Sequence, residues 1–216
     1  KMVKNIAASV RAKLLSKAKQ HKLEFNRMLL LYAQERFLYR LSRSEYKKRF
    51  VLKGGMLFYG VHQNKARTTK DIDLFVTNIS NNEVDILKCI QKIFSCKIED
   101  GVQFLKNTIK IEDIAEGALY KGLRVKFKAK LDTAVIPIQV DFGFSDVLYP
   151  QPIPFKYPTI LHDESIEILA YSWESVIAEK FEAIVKLGQL NSRMKDFYDI
   201  YFLQQNHNFD GERLHS

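Results

Sequence analysis

Cysteine is scarce in this chain of 216 residues. Only Cys89 and Cys96 occur, and they fall in a segment whose apolar spacing is helical, so that two helical turns put both thiols on one core-facing side. A disulfide within one helix is geometrically disfavoured, and two sulfurs do not complete a metal site. The sequence therefore predicts two buried, free thiols in a reducing, cytoplasmic setting. Long apolar runs are missing as well. No stretch approaches the roughly 20 residues that cross a bilayer, and the opening KMVKNIAASVRAKLLSKAKQ is charged throughout, unlike a signal peptide. No internal repeat, low-complexity tract or Gly/Ser linker is present. Disorder is excluded by what the chain does contain: 46% apolar residues, 12% aromatics, 15 Phe and 10 Tyr, enough to bury a core in one large domain or two small ones.

Charge is uneven. Lys and Arg number 34 against 25 Asp and Glu, a formal net charge of +9. Such a surface attracts nucleic acid, nucleotides, acidic partners or anionic membranes without choosing among them.

Helical spacing dominates the first fifty residues, where Phe25, Met28, Leu29, Tyr32, Phe37, Leu38 and Leu41 recur three and four apart. Gly54-Gly55 precedes a short apolar helix, Met56 to Val61, and a polar loop runs to Lys70. Asp71-Ile72-Asp73-Leu74-Phe75-Val76 alternates acid and apolar residues as a half-buried strand does. Helical spacing returns at 83–95. Three strand-like runs follow: Phe104 to Ile114, Leu123 to Leu131 and Ala134 to Phe142. Pro150, Pro152, Pro154 and Pro158 then mark an extended connection, which sets the expected boundary between a core (1–150) and a mainly helical C-terminal lobe (151–216). Ser172 is placed to cap a helix from Trp173 to about Leu187, Gly188 to end it, and a last helix spans about Arg193 to Gln205.

The chemistry concentrates around Asp71 and Asp73. Residues i and i+2 of a strand point to one face, and two carboxylates there repel unless a cation compensates. Mg²⁺ takes carboxylate and phosphate oxygens together. Gly54-Gly55 ahead of a helix lets a phosphate approach free backbone N–H groups, although the same pair also makes an ordinary turn. Arg67, in Arg67-Thr68-Thr69-Lys70, offers a bidentate grip on phosphate or is simply a solvated loop charge. Asp141 supplies a third acid, as metal ligand or proton acceptor, or else caps the turn at Gly143. Arg193, Asp196 and Asp199 share a helix face, the pattern of a surface ion-pair ladder, while Lys180 lies in an otherwise apolar stretch from which it can reach a phosphate.

In order, KGGMLFYGVHQNKARTTKDIDLF, the VDFG around Asp141, the EKFEA around Lys180 and the R-x-K-D-F-Y-D-I from Arg193 to Ile200 resemble the motifs of the AbiEii/AbiGii-type nucleotidyltransferase toxins. The resemblance spans roughly residues 25 to 205. It implies an α+β fold: a polymerase-β-like nucleotidyltransferase core with a mixed sheet, N-terminal helices and a helical C-terminal lobe. It further implies a bacterial toxin with a cognate antitoxin, which transfers a nucleotide from an NTP to an acceptor such as the tRNA 3′ end. By position, Asp71, Asp73 and Asp141 would hold Mg²⁺ or Mn²⁺. Lys53, Gly54, Gly55, Arg67, Thr69, Lys180 and Arg193 would bind nucleotide, and Lys180 and Asp196 would complete the catalytic set with the three acids. One departure stands out, since many nucleotidyltransferases have serine where this chain has Gly55.

Arg124, Lys126, Lys128 and Lys130 alternate with apolar residues and form one row of cations suited to an RNA backbone. The same row suits a solvated edge strand protected from aggregation. Modification of a protein or small molecule, or a catalytically silent module holding nucleotide or antitoxin, are the competing expectations. A silent module has no need of the aspartate pair.

Overall fold

Helix α1 (Ile6–Gln20) and helix α2 (Phe25–Arg43) precede strand β1 (Phe50–Lys53) in the computed structural model, which describes residues 5–63, 69–114, 122–144, 148–162, 164–187 and 194–207. Next come α3 (Gly54–His62), β2 (Asp71–Val76), α4 (Glu83–Phe94), β3 (Val102–Ile114), β4 (Gly122–Leu131), β5 (Ala134–Phe144), β6 (Ile153–Tyr157), β7 (Ile166–Ala170), α5 (Trp173–Leu187) and α6 (Met194–Asn206). The fold is α+β, as the sequence predicts: a single seven-stranded mixed sheet ordered β3-β4-β5-β2-β1-β7-β6, with helices packed against it.

Local chemistry explains the elements. Asn82 caps α4 by accepting from the Asp85 N–H at 2.9 Å, Glu83 and Asp85 oppose the positive end of the helix dipole, and Ile86, Cys89, Ile90 and Ile93 form its buried stripe. Ser172 accepts from the Ser175 N–H at 3.1 Å at the head of α5. In β4 the odd-numbered residues Leu123 to Leu131 are buried, whereas Arg124 and Lys126 are half-buried and Lys128 and Lys130 exposed. Phe127 of β4 and Phe104 of β3 meet Phe37 of α2 and Phe94 of α4 in an aromatic cluster with centroids 4.8–6.5 Å apart. Helices α2 and α4 thus cover one face of this half of the sheet, and the row from Arg124 to Lys130 lies on the other.

Three expectations change. Strands β6 and β7 lie beyond residue 150 yet complete the same sheet, β7 running parallel to β1, so no division between sheet and helical lobe falls at the proline-rich connection. Strand β4 lies between β3 and β5, so its lysines do not protect an edge. Cys89 is buried, but Cys96 lies past the end of α4 and is half-buried, because Ser95 closes that helix; both thiols are free. Arg67, Gly188 and Arg193 fall outside the described residues.

Candidate active site

Strand β1 delivers Lys53 directly to Gly54, the first residue of α3. Lys53 stands at the helix N-cap in an extended conformation and makes no side-chain cap bond. Gly54 has φ +62°, a left-handed conformation that glycine adopts without strain. Its missing side chain matters more, because a Cβ there would lie 2.0 Å from Asp73 Oδ2. At Gly55 a Cβ would lie 2.6 Å from both Cβ and Oγ1 of Thr69. The space that a serine at 55 would use is thus filled by the hydroxyl-bearing side chain of Thr69, whose Oγ1 donates to the Asp71 carbonyl at 3.2 Å. Gln34 of α2 donates to the Lys70 carbonyl at 3.0 Å and steadies the chain before β2.

Sheet register assembles the acids. Antiparallel pairing sets Lys53 opposite Asp73. Parallel pairing of β2 with β5 sets Asp71 beside Gln139 and Asp73 beside Asp141, and β4 places Arg124 opposite Asp141. Asp71 and Asp73 share one face of β2, alternating with buried Ile72 and Leu74. Arg124 grips Asp141 with both prongs, Nε to Oδ1 at 2.9 Å and Nη2 to Oδ2 at 2.7 Å. Lys53 pairs with Glu179 of α5 and lies 5.5 Å from the Tyr171 ring centroid.

Burial pushes the Asp73 carboxyl up to about 6; the Lys53 ammonium pulls it down, while Asp71, Asp141 and Glu179 push it further up. Such a crowd of acids is relieved by a cation. Among the described residues, no three His, Cys, Asp or Glu side chains converge as a metal cluster, and Asp141 is turned to Arg124. Two aspartates on one face still suit Mg²⁺, which is commonly held by one or two carboxylates and substrate phosphates. The donor set therefore fits a divalent ion resting on Asp71 and Asp73.

A separate ion cluster lies between α5 and α6. Lys180 Nζ donates to Asp196 Oδ1 at 3.1 Å and to Asp199 Oδ2 at 2.7 Å, and lies 5.6 Å from the Phe58 ring centroid. Asp196 and Asp199 are 3% and 1% exposed, so they are no surface ladder. The structure thus gathers Lys53, Gly54, Gly55, Thr69, Asp71, Asp73, Asp141 and Arg124 in one place, and Lys180 with Asp196 in another. Sequence reasoning counted neither Glu179 nor Asp199 among the site residues, and read Asp199 as part of a surface ladder. Neighbouring helix residues point about 100° apart, which lets Glu179 face Lys53 while Lys180 faces α6.

A family model described as "Nucleotidyl transferase AbiEii toxin, Type IV TA system" matches residues 36–216. The chain belongs to the AbiEii nucleotidyltransferase toxin family. As an AbiEii-family protein it is a nucleotidyltransferase of a type IV toxin–antitoxin system. Its fold is similar to the crystal structure of JHP933 from Helicobacter pylori (TM-score 0.55, 14% identity, covering 86% of this chain and 68% of that one). It is also similar to a presumed nucleotidyltransferase from H. pylori (TM-score 0.51, 14% identity, 88% and 69%). At such identity the likeness concerns the fold alone. None of the curated proteins matches this AbiEii-family chain. Among the described residues, no helix is long and apolar enough to cross a membrane.

Proposed function

We propose that this AbiEii-family protein transfers a nucleoside monophosphate from an NTP to a hydroxyl of RNA, with the tRNA 3′ end as the preferred acceptor, and that it acts in the cytoplasm beside a cognate antitoxin. The observation that carries the reading is the contact of Asp73 with Gly54, which sets the aspartate pair against the N-terminus of α3.

Backbone N–H groups of the first turn of α3 and the ammonium of Lys53 receive the triphosphate, a role for which a helix N-terminus is suited. An incoming phosphate competes with Glu179 for Lys53. Asp71 and Asp73 would hold Mg²⁺ or Mn²⁺, which when bound would offset charge on the α-phosphoryl oxygens. The acceptor oxygen bonds to the α-phosphorus as the bond to the β-phosphate oxygen breaks; pyrophosphate leaves with that electron pair, and the hydroxyl proton is released. Lys180, through Asp196 and Asp199, fixes α5 and thereby the position of Glu179. The row of Lys126, Lys128 and Lys130 leads away from Arg124 and Asp141 along β4, on the open face of the sheet, and offers a track for a phosphate backbone.

Incubation with NTPs labelled at the α-phosphate and total RNA, with and without Mg²⁺, tests this. The expected result is Mg²⁺-dependent label in RNA, lost in Asp71→Asn and Asp73→Asn. Label in protein or a small molecule overturns the RNA acceptor, and label in nothing overturns transfer.

A further inference from the structure

Across five neighbouring strands, β1, β2, β5, β4 and β3, the register lines up Lys53, Asp73, Asp141, Arg124 and Glu112. Asp141 therefore has a choice of neighbours. On one side is Asp73, with which it could share a cation; on the other is Arg124. The geometry shows Arg124 taking it, with both carboxylate oxygens engaged at 2.9 and 2.7 Å and Gln139 Nε2 adding a 3.3 Å contact to Oδ2. Glu112, the opposite flank of Arg124, is held by Lys126 at 2.8 Å. Lys126 thus supplies a counter-charge for Glu112, and the fork of Arg124 is turned to Asp141.

A guanidinium has two properties that matter here. It stays protonated at every accessible pH, so it cannot become neutral to make way for a metal, as lysine or histidine can. Its two-pronged grip also fixes the carboxylate plane. Formal charge points the same way. Asp71, Asp73, Asp141 and Glu179 bring four negative charges, and Lys53 and Arg124 bring two positive ones. The difference, two negative charges before nucleotide binds, is what one divalent ion balances.

We infer that Arg124 stands where a second metal ion would otherwise be needed: this site takes one divalent cation, on Asp71 and Asp73, and Arg124 keeps Asp141 out of its coordination sphere. The inference rests on the nucleotidyl-transfer reading. It makes Arg124 a positioning residue that sets metal stoichiometry, and so removes it from the RNA-facing row in which its sequence position places it.

Counting bound Mn²⁺ by its paramagnetic resonance signal tests this without turnover, using the full chain saturated with a non-hydrolysable α,β-methylene NTP. The wild type is expected to hold one Mn²⁺. Arg124→Gln, which frees Asp141, is expected to hold two. The paired change Arg124→Gln/Asp141→Asn preserves net charge and is expected to return to one, with affinity close to wild type. Two ions in the wild type overturn the inference, as does one ion in a folded Arg124→Gln. If that variant does not fold, the paired change decides alone: a loss of Mn²⁺ affinity beyond about tenfold identifies Asp141 as a ligand and overturns it. No Mn²⁺ in any of the three overturns the metal-dependent reading itself, which is a different failure.

Discussion

The carboxylate of Asp73 lies where a side chain at residue 54 would begin, since a Cβ on Gly54 would fall 2.0 Å from Asp73 Oδ2 and 2.6 Å from its Cγ. This contact links the head of the phosphate-facing helix to the aspartate pair, so neither can shift without the other. Sheet pairing of Lys53 with Asp73 reinforces it.

Gly54→Ala should therefore damage the site twice. The left-handed backbone at φ +62° costs an alanine about 1–2 kcal/mol, and the new methyl group must push Asp73 aside. A displacement of about 1 Å is worth on the order of 100-fold in rate. Nucleotide transfer should fall by that order while unfolding free energy falls by only about 1–2 kcal/mol. Denaturant titration alongside the transfer assay checks the split; an equal fall in both would make the contact purely structural.

Burial raises the Glu35 carboxyl from its ordinary 4.5 to about 7, against the Arg36 charge and the Ile160 N–H, which both lower it. Glu35 is 1% exposed and accepts from the Ile160 N–H at 2.5 Å. The native state thus keeps a proton that the unfolded chain has released, and stability must decline as pH rises from about 4.5 to about 7. The decline attributable to this one group is roughly 3 kcal/mol at most. Glu35→Gln should flatten that part of the stability profile, read as the urea midpoint against pH. An unchanged slope would remove Glu35 as its source.

Lys180 pairs with two buried acids, Asp196 and Asp199, at 3.1 and 2.7 Å. Replacing it with methionine removes a charge partner from two buried carboxylates, and breaking such a buried pairing typically costs about 3–5 kcal/mol. Lys180→Met should therefore lower unfolding free energy by that amount. A lysine whose work is confined to phosphate would leave stability unchanged, so denaturant titration without nucleotide distinguishes the two roles.

How much of this was readable in the chain depends on what each feature needs. The aspartate pair, the glycine pair and helix α4 are local patterns, and strand or helix periodicity exposes them directly. Strands β6 and β7 were hidden behind Pro150, Pro152, Pro154 and Pro158. Proline usually argues against a strand, but Pro154 lies in β6, the outermost strand of the sheet, where a missing N–H is tolerated. The grip of Arg124 on Asp141 depends on the register between β4 and β5, which a row of alternating cations does not reveal. The burial of Asp196 and Asp199 likewise depends on α5 packing against α6, and the spacing alone fits an exposed ladder equally well.

The remaining lysines of β4 carry the last prediction. Lys128 and Lys130 are exposed, and Lys126 is half-buried beside Glu112. Because β4 is interior, its cations are not explained by edge protection, while their open face continues from the acidic site. If an RNA backbone follows that face, each lysine neutralises about one phosphate and contributes about 0.7 to the slope of log K against log salt. Alanine at Lys128 and Lys130, which leaves the Lys126–Glu112 pair intact, should then reduce the slope by about 1.4, with label transfer to a nucleoside or short acceptor unaffected. Filter binding of tRNA across a salt series measures it. A slope that does not change between wild type and double variant places the RNA elsewhere on the protein.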